Sequence, residues 1–513
     1  MAGVSRSATI DCSPSPALTA RRLQRTLIDS QEQADSGRLP TTYSASMTSE
    51  MPWADDACSL VDEFRAGGRS PVEETQAVLA AIERDPYNCV SFTDPERALE
   101  AARSADTSLP FGGVPFLVKE LDHVAGWPDT SASAPFADRI ATVTSTNGGR
   151  IRDRGGAVMV GLSTASEFGG VNVTRTVLNG VTRNPWNTDR TPGGSSGGTA
   201  AAVAGGIVTL GTAGDGGGSI RIPAGFTNLV GLKATFGRIP LSPGARYGNL
   251  TVNHGCLSRS VRDTARWFDV ANGHDARDPL SLPRVDGWEA ALGTLGDQLR
   301  GLRVAIVADW GGATVSPIMW EQLLGVAHDL IGDAQLTIIE GIDTHLPRMG
   351  GAWSISGMIS IRSALGELWP DCADQLTPEI RAGLELTDGR YSAEARERIE
   401  RRRSELNEAM ARIFDPTDGV DLVITASNPD VAFAAEGPLP GVFGGIEAGA
   451  GNNGLLTFPA NLHGNPAISI PAGFVDGLPV GLQIVGRHFS EQLLLELAYR
   501  LERLRPWPVT ASS

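Results

Sequence analysis

Residues 191–198 read Thr-Pro-Gly-Gly-Ser-Ser-Gly-Gly, and residues 211–224 read Gly-Thr-Ala-Gly-Asp-Gly-Gly-Gly-Ser-Ile-Arg-Ile-Pro-Ala. Glycine and serine at this density also make flexible linkers. These two runs, however, lie between apolar segments in a region with few charges. Gly-rich loops inside a core let backbone approach another group closely. The intervening chain reads as a small-residue helix over 199–205 and a strand over 208–212.

Working outward, residues 113–118 read Gly-Val-Pro-Phe-Leu-Val, a short apolar strand that delivers Lys119. Residues 157–162 form another buried strand. Further strands are expected at 302–308, 336–340, 422–425, 467–471 and 481–485. Amphipathic helices are expected at 58–69, 72–84 and 94–104, the second opened by Ser70 as cap and Pro71 in the first turn. Strands alternating with helices predict an α/β sandwich around a largely buried sheet. Residues 392–414 read as a solvated helix whose apolar face carries Ile399, Leu406, Met410 and Ile413. Its Arg401-Arg402-Arg403 run is interleaved with glutamates, the pattern of an exposed helix rather than of a nucleic-acid patch.

Composition narrows the classes. The 513 residues are 41% hydrophobic and 20% charged, the balance of a globular chain, and a net charge of −16 disfavours nucleic acid as a partner. Five scattered cysteines with no Cys-x-x-Cys pair argue for a reducing compartment and against a disulfide scaffold or zinc ribbon. No apolar run reaches a membrane span and no signal peptide is visible, so a cytoplasmic location is expected. Residues 1–46, rich in Ser, Thr, Ala and Arg, read as a poorly ordered extension before a domain over 47–513.

One bias is sharper. Of 43 basic residues only Lys119 and Lys233 are lysine. Arginine cannot give up its proton near neutral pH, whereas a buried lysine can. A lysine that survives such a bias marks a place where arginine would not serve.

Several familiar motifs are absent or weak. Neither lysine follows a glycine, so there is no phosphate-binding Walker loop; no Ser-x-x-Lys or His-Glu-x-x-His is found, and no Gly-x-Gly-x-x-Gly around these glycine runs. Seven dispersed histidines offer no metal cluster. Gly193-Gly-Ser195-Ser-Gly197 formally matches a nucleophile elbow, but the polar stretch before it is a poor strand. A Ser-His-Asp hydrolase using Ser195 stays open on that match. Gly216, Gly217 and Gly218 let consecutive N–H groups converge ahead of Ser219, an arrangement that can hold an oxyanion beside a hydroxyl nucleophile. Such a serine needs a base. Lys119, at a strand end, is the candidate.

Taken together these blocks resemble the amidase-signature family. Its Gly-Gly-Ser-Ser-Gly-Gly hallmark matches 193–198, and its G-T-D-x-G-G-S-I-R-x-P-A block matches 213–224. Its G-V-P-x-x-V-K-[DE] block matches 113–120. Ser195 and Ser219 stand 24 residues apart, as in the family. The likeness runs on through Val230-Gly-Leu-Lys233, residues 461–467 and residues 477–487. It implies a single large α/β/α sandwich with a central mixed sheet and a helical insertion over the active site. It implies an amide hydrolase with Ser219 as nucleophile, Ser195 on a cis peptide as proton relay and Lys119 as base. It further implies an oxyanion hole of Gly216, Gly217 and Gly218, with Asp215, Arg221 and Ser196 in support. No cofactor or metal is expected. The partner is a small or medium apolar amide, with anilides, esters or carbamates also open; homodimers occur in the family. Lys233 reads as structural.

Two departures stand out. Gly214 replaces the usual Thr and Gly216 a bulkier residue, which implies a looser loop or a roomier pocket. Residues 310–455 resemble the family least and are expected to sort substrates. Their Trp310, Trp320, Trp353, Trp369 and Phe443 serve either an apolar acyl or aryl pocket or the ordinary core. The alternative activity is that of the glutaminase component of a glutamyl-tRNA(Gln) amidotransferase. Glutamine-using members often carry Gln where Ile222 stands. A non-catalytic binding protein on the same fold is a third class, disfavoured by the intact Lys119, Ser195 and Ser219.

Overall fold

The computed structural model describes residues 51–245, 250–349 and 351–511, and of 351–354 only the backbone. The extension expected over 1–46 lies outside the described residues. One half of the central sheet runs in the order Val90–Thr93, Val158–Ser163, Pro115–Lys119, Leu210–Asp215, Asn253–Ser258. The other half runs Gly231–Lys233, Ala467–Val475, Leu478–Gly486, Leu422–Ala426, Arg303–Ile306, Thr337–Ile338. The halves are joined where Val230 and Ser258 exchange backbone hydrogen bonds. Parallel and antiparallel pairings both occur across the layer, so the sheet is mixed, as the resemblance implied.

Pro115–Lys119 lies between two parallel neighbours, Val158–Ser163 and Leu210–Asp215. All three end at one edge, bringing Lys119, Ser163 and Asp215 to a common rim. Crevices outside the carboxyl ends of such strands are the usual binding places of α/β sheets. The three strands are almost wholly buried, which explains why the first two read as apolar runs rather than as alternation.

The expected helices are present with shifted ends: Ala57–Ala66, Pro71–Glu83, Pro95–Arg103 and Ala393–Ile413. Ser70 and Glu73 close a reciprocal capping box around Pro71. Helix Ala393–Ile413 buries Leu406, Met410 and Ile413 and leaves most of its arginines outward, though Arg403 is half-buried and donates to Leu462 O. No helix among the described residues is long and apolar enough to cross a membrane.

Helices Gly351–Leu365 and Pro378–Thr387 build a small apolar cluster of their own with Phe136 and Phe168. It is anchored to the body by Arg175 against Glu379 at 2.5 Å. The buried Glu167 adds a second anchor, accepting from Ser133 Oγ and from the N–H and hydroxyl of Thr377. The turn Glu167–Gly169 beneath this cluster touches the rim: a Cβ on Gly169 would lie 3.4 Å from Ser195 Oγ.

Trp310 is fully buried in the main core and Trp320 packs against it. Trp369 joins the helical cluster, and Phe443 is buried. Of the two expectations for these aromatics, the core reading holds for Trp310 and Trp320. The side chain of Trp353 lies outside the described residues.

Candidate active site

Lys119 enters the site from the last position of its strand, its backbone N–H donating to Thr212 Oγ1 at 2.8 Å. Its Nζ donates to Ser195 Oγ at 2.7 Å and to Ser196 Oγ at 2.8 Å, with Gly214 O at 3.4 Å. All three side chains are buried. Burial lowers the lysine from the usual ammonium range to about 8, and the carboxylates of Asp122, Asp215 and Glu120 oppose that shift.

Ser195 and Ser196 stand at the mouth of helix Gly197–Ala204, and the Gly194–Ser195 peptide is cis. The glycines of this block permit contact with the neighbouring turn. A Cβ on Gly198 would come within 2.4 Å of Thr164 backbone atoms. Ser196 Oγ also meets Gly214 O and N at 3.3 and 3.4 Å, tying the first serine loop to the strand that carries the second.

That second loop, 216–219, links strand Leu210–Asp215 to helix Arg221–Thr227. Its shape depends on Asp215 and Arg221, both fully buried. Arg221 Nη2 and Nε reach Asp215 Oδ1 and Oδ2 at 2.9 and 3.0 Å. The rest of the guanidinium donates to Thr457 O, Gln483 Oε1 and Asn461 Oδ1. Burial alone would raise the Asp215 carboxyl; the Arg221 charge and hydrogen bonds outweigh it and hold the group far below the usual carboxylate range. Asn461 Nδ2 donates to both the carbonyl and the side chain of Asp215.

The glycine run corrects one expectation. Gly218 N–H donates to Asp215 Oδ1 at 2.7 Å, so this donor is taken by the carboxylate that fixes the loop. The N–H groups of Gly216, Gly217 and Ser219 have no acceptor among the described residues. Gly218 has φ 132°, and a Cβ there would lie 2.4 Å from Thr457 Oγ1 and 2.7 Å from Ile222 Cδ1. Gly216 is open by contrast, its nearest neighbour being Val252 Cγ2 at 3.5 Å. Ser219 is partly exposed at the end of the loop.

Asn461, Gln483 and Thr457 have no role in the reading of the sequence. The first two lie within the C-terminal blocks that resemble the family; a glutamine in a buried apolar strand is the signal that could have marked Gln483. Thr457 carries no such signal. Lys233 is fully buried on strand Gly231–Lys233 and donates to Ala234 O; burial and then the neighbouring Arg221 charge lower it to about 7.

Among the described residues one group has metal-ligand spacing: Asp56, Cys58 and Asp263. It does not suit an ion. Asp263 accepts from Ala57 and Cys58 N–H, capping a helix, and burial pushes the Cys58 thiol far up. A thiol that keeps its proton is a poor ligand.

A small cavity borders the second serine loop, lined by Ile222, Phe226, Asn172, Asn428, Asn453 and Thr457 among others, none of them charged. Ile222 and Phe226 pack there against Ala432 and Phe433. The larger surface clefts lie elsewhere, around Gly293, Asp333 and Arg500.

The family model described as Amidase matches residues 73–495. A glutamyl-tRNA(Gln) amidotransferase component from Chloroflexus aggregans is 33% identical over 86% of this chain and 94% of its own length. The component of the same name from Methanosarcina acetivorans is 30% identical over 85% and 94%. Among solved structures, a bacterial aryl acylamidase of the amidase-signature enzymes superposes with TM-score 0.81 at 25% identity, over 88% of this chain and 97% of that one. A 6-aminohexanoate cyclic dimer hydrolase complexed with substrate gives 0.77 at 27%, over 90% and 98%. With the family model spanning most of its length and these relatives aligned over 85–90% of it, the chain belongs to the amidase-signature family of C–N-hydrolysing enzymes.

Proposed function

We propose that the chain hydrolyses uncharged, largely apolar carboxylic amides through an acyl-enzyme on Ser219. The observation that carries this reading is the buried Lys119 amine, 2.7 Å from Ser195 Oγ and able to shed its proton near pH 8. In this mechanism neutral Lys119 accepts a proton from Ser195, which accepts that of Ser219. Ser219 Oγ bonds to the carbonyl carbon, and the carbonyl oxygen takes the electron pair. The N–H groups of Gly216, Gly217 and Ser219 hold that oxyanion. Collapse breaks the C–N bond, and the nitrogen leaves with the proton returned from Lys119 through Ser195. Water then repeats the route: one proton goes to the base, the oxygen joins the acyl carbon, and the carboxylic acid departs as Ser219 regains its hydrogen. Asp215 and Arg221 keep the loop in register, and Ser196 anchors the amine. Anilides, esters and carbamates share the acyl step.

Sequence similarity favours a second reading, the glutaminase component of an amidotransferase, since the relatives from Chloroflexus aggregans and Lacticaseibacillus casei bear the amidotransferase name. It would use the same three side chains and add partner proteins to receive ammonia. Glutamine presents an α-ammonium and an α-carboxylate, each costly to bury without an opposite charge. Ile222, standing where glutamine-using members of the family often carry Gln, supports a neutral amide instead. Assaying the purified chain alone separates the two. Turnover of an apolar amide or anilide with none of glutamine supports the first reading. Glutamine hydrolysis with no activity on any amide, anilide, ester or carbamate overturns it.

A further inference from the structure

Next to the lysine lies a pair that the mechanism above does not use. Asp122 follows Lys119 by three residues, and its N–H donates to Lys119 O at 2.8 Å. Its side chain is 4% exposed, and Oδ1 lies 3.5 Å from Nδ1 of His254, itself 14% exposed. The two are within ion-pair distance but not aligned as a hydrogen bond; Asp122 Oδ2 and His254 Nδ1 are both buried without a hydrogen-bond partner among the described residues. Buried polar atoms left unmatched need a reason.

The position suggests one. His254 lies on strand Asn253–Ser258 directly opposite Gly214, whose carbonyl faces Lys119 Nζ. A Cβ at 214 would sit 3.9 Å from His254 Nδ1, so the imidazole lies just behind the lysine's carbonyl partner. Three carboxylates act on the amine. Asp215 is bound by Arg221. Glu120 is engaged by Ala165 N–H and Asn179 Nδ2, and burial raises its carboxyl to about 7. Asp122 keeps an unmatched oxygen, and of the three it opposes the lowering of Lys119 most. His123, whose neighbours include Asp122, is itself paired with Asp129 at 3.0 Å, which also holds Arg139.

We propose that Asp122, held against His254, is a positioning residue whose charge sets the pH at which Lys119 becomes a free base. The proposal rests on Lys119 acting as base for Ser219. An ionised Asp122 stabilises the ammonium and delays its deprotonation.

The test needs no known substrate. A fluorophosphonate probe is applied to the folded protein, and its rate of labelling Ser219 is followed against pH. In the wild type the rate rises as Lys119 loses its proton. Asp122→Asn moves this acid limb down by about one pH unit, the size of shift a neighbouring charge exerts. Well below the limb the variant is therefore labelled about tenfold faster than wild type. A merely structural role would not give such a gain. Asp122→Glu keeps the charge and returns the limb toward wild type. A limb unchanged or raised in Asp122→Asn overturns the proposal. Failure of the wild type to label at Ser219, or a flat wild-type profile, instead overturns the base mechanism itself.

Discussion

Lys119 Nζ and Ser195 Oγ lie 2.7 Å apart, with both side chains buried. An ammonium there would keep its proton away from the serine route; a neutral amine accepts one. The charged form dominates below about pH 8 and the neutral form above it. Activity is therefore expected to rise with pH through that region and level off on the alkaline side. Lys119→Arg keeps charge and bulk but cannot deprotonate. It should lose more than about a thousandfold in turnover, as should Lys119→Ala, the loss typical of breaking a catalytic unit. Turnover above about a tenth of wild type in folded Lys119→Arg, far above that expectation, would show that the site needs only a positive charge.

A fluorophosphonate adduct is expected on the peptide that carries Ser219. Ser219→Ala should abolish labelling, and Ser195→Ala should slow it less if water takes over the relay. Mass spectrometry locates the adduct. Its appearance on Ser195 would revive the nucleophile-elbow reading of 193–197.

Asp215 and Arg221 form a fully buried ion pair. Removing one partner strands the other's charge, a loss of about 3–5 kcal/mol in comparable buried pairs. Arg221→Met should therefore lower the denaturation midpoint markedly as well as activity. Arg221→Lys should rescue little, because a lysine cannot also reach Thr457, Gln483 and Asn461. Chemical denaturation of the two variants checks this; near wild-type stability in either would show that the loop does not depend on the fork.

Gly216 and Gly218 should differ on substitution by alanine. At Gly218 the added carbon meets Thr457 and Ile222 in a left-handed backbone region, whereas at Gly216 it meets only Val252 in ordinary contact. Gly218→Ala should lose most activity, and Gly216→Ala should change it modestly, through the width of the entrance. Equal losses at both positions would contradict the loop geometry.

Treatment with a chelator should leave turnover unchanged, because the Asp56, Cys58 and Asp263 group is occupied as a helix cap. Activity lost with EDTA and restored by zinc would show that the protein depends on a metal ion.

The sequence alone carried the alternation of strands and helices, the strand ending at Lys119, and the two serine loops. Short-range pattern determines these: apolar runs predict buried strands, and glycine runs predict close backbone approach. The scarcity of lysine marked Lys119 and Lys233 alike, and the end of an apolar strand pointed to Lys119. Tertiary structure alone decided who meets whom. Arg221 is bonded to Thr457, Asn461 and Gln483 from far along the chain, and no local pattern encodes such a meeting. Whether Gly218 donates to a substrate or to Asp215 depends on the direction of one N–H, which composition cannot express. Trp310 and Trp320 looked equally suited to a pocket or a core until packing placed them in the core. Asp122 and His254 stand more than a hundred residues apart in the chain. The strand pairing of Gly214 with His254 brings them together beside the lysine, because register, not sequence neighbourhood, decides which side chains share a site.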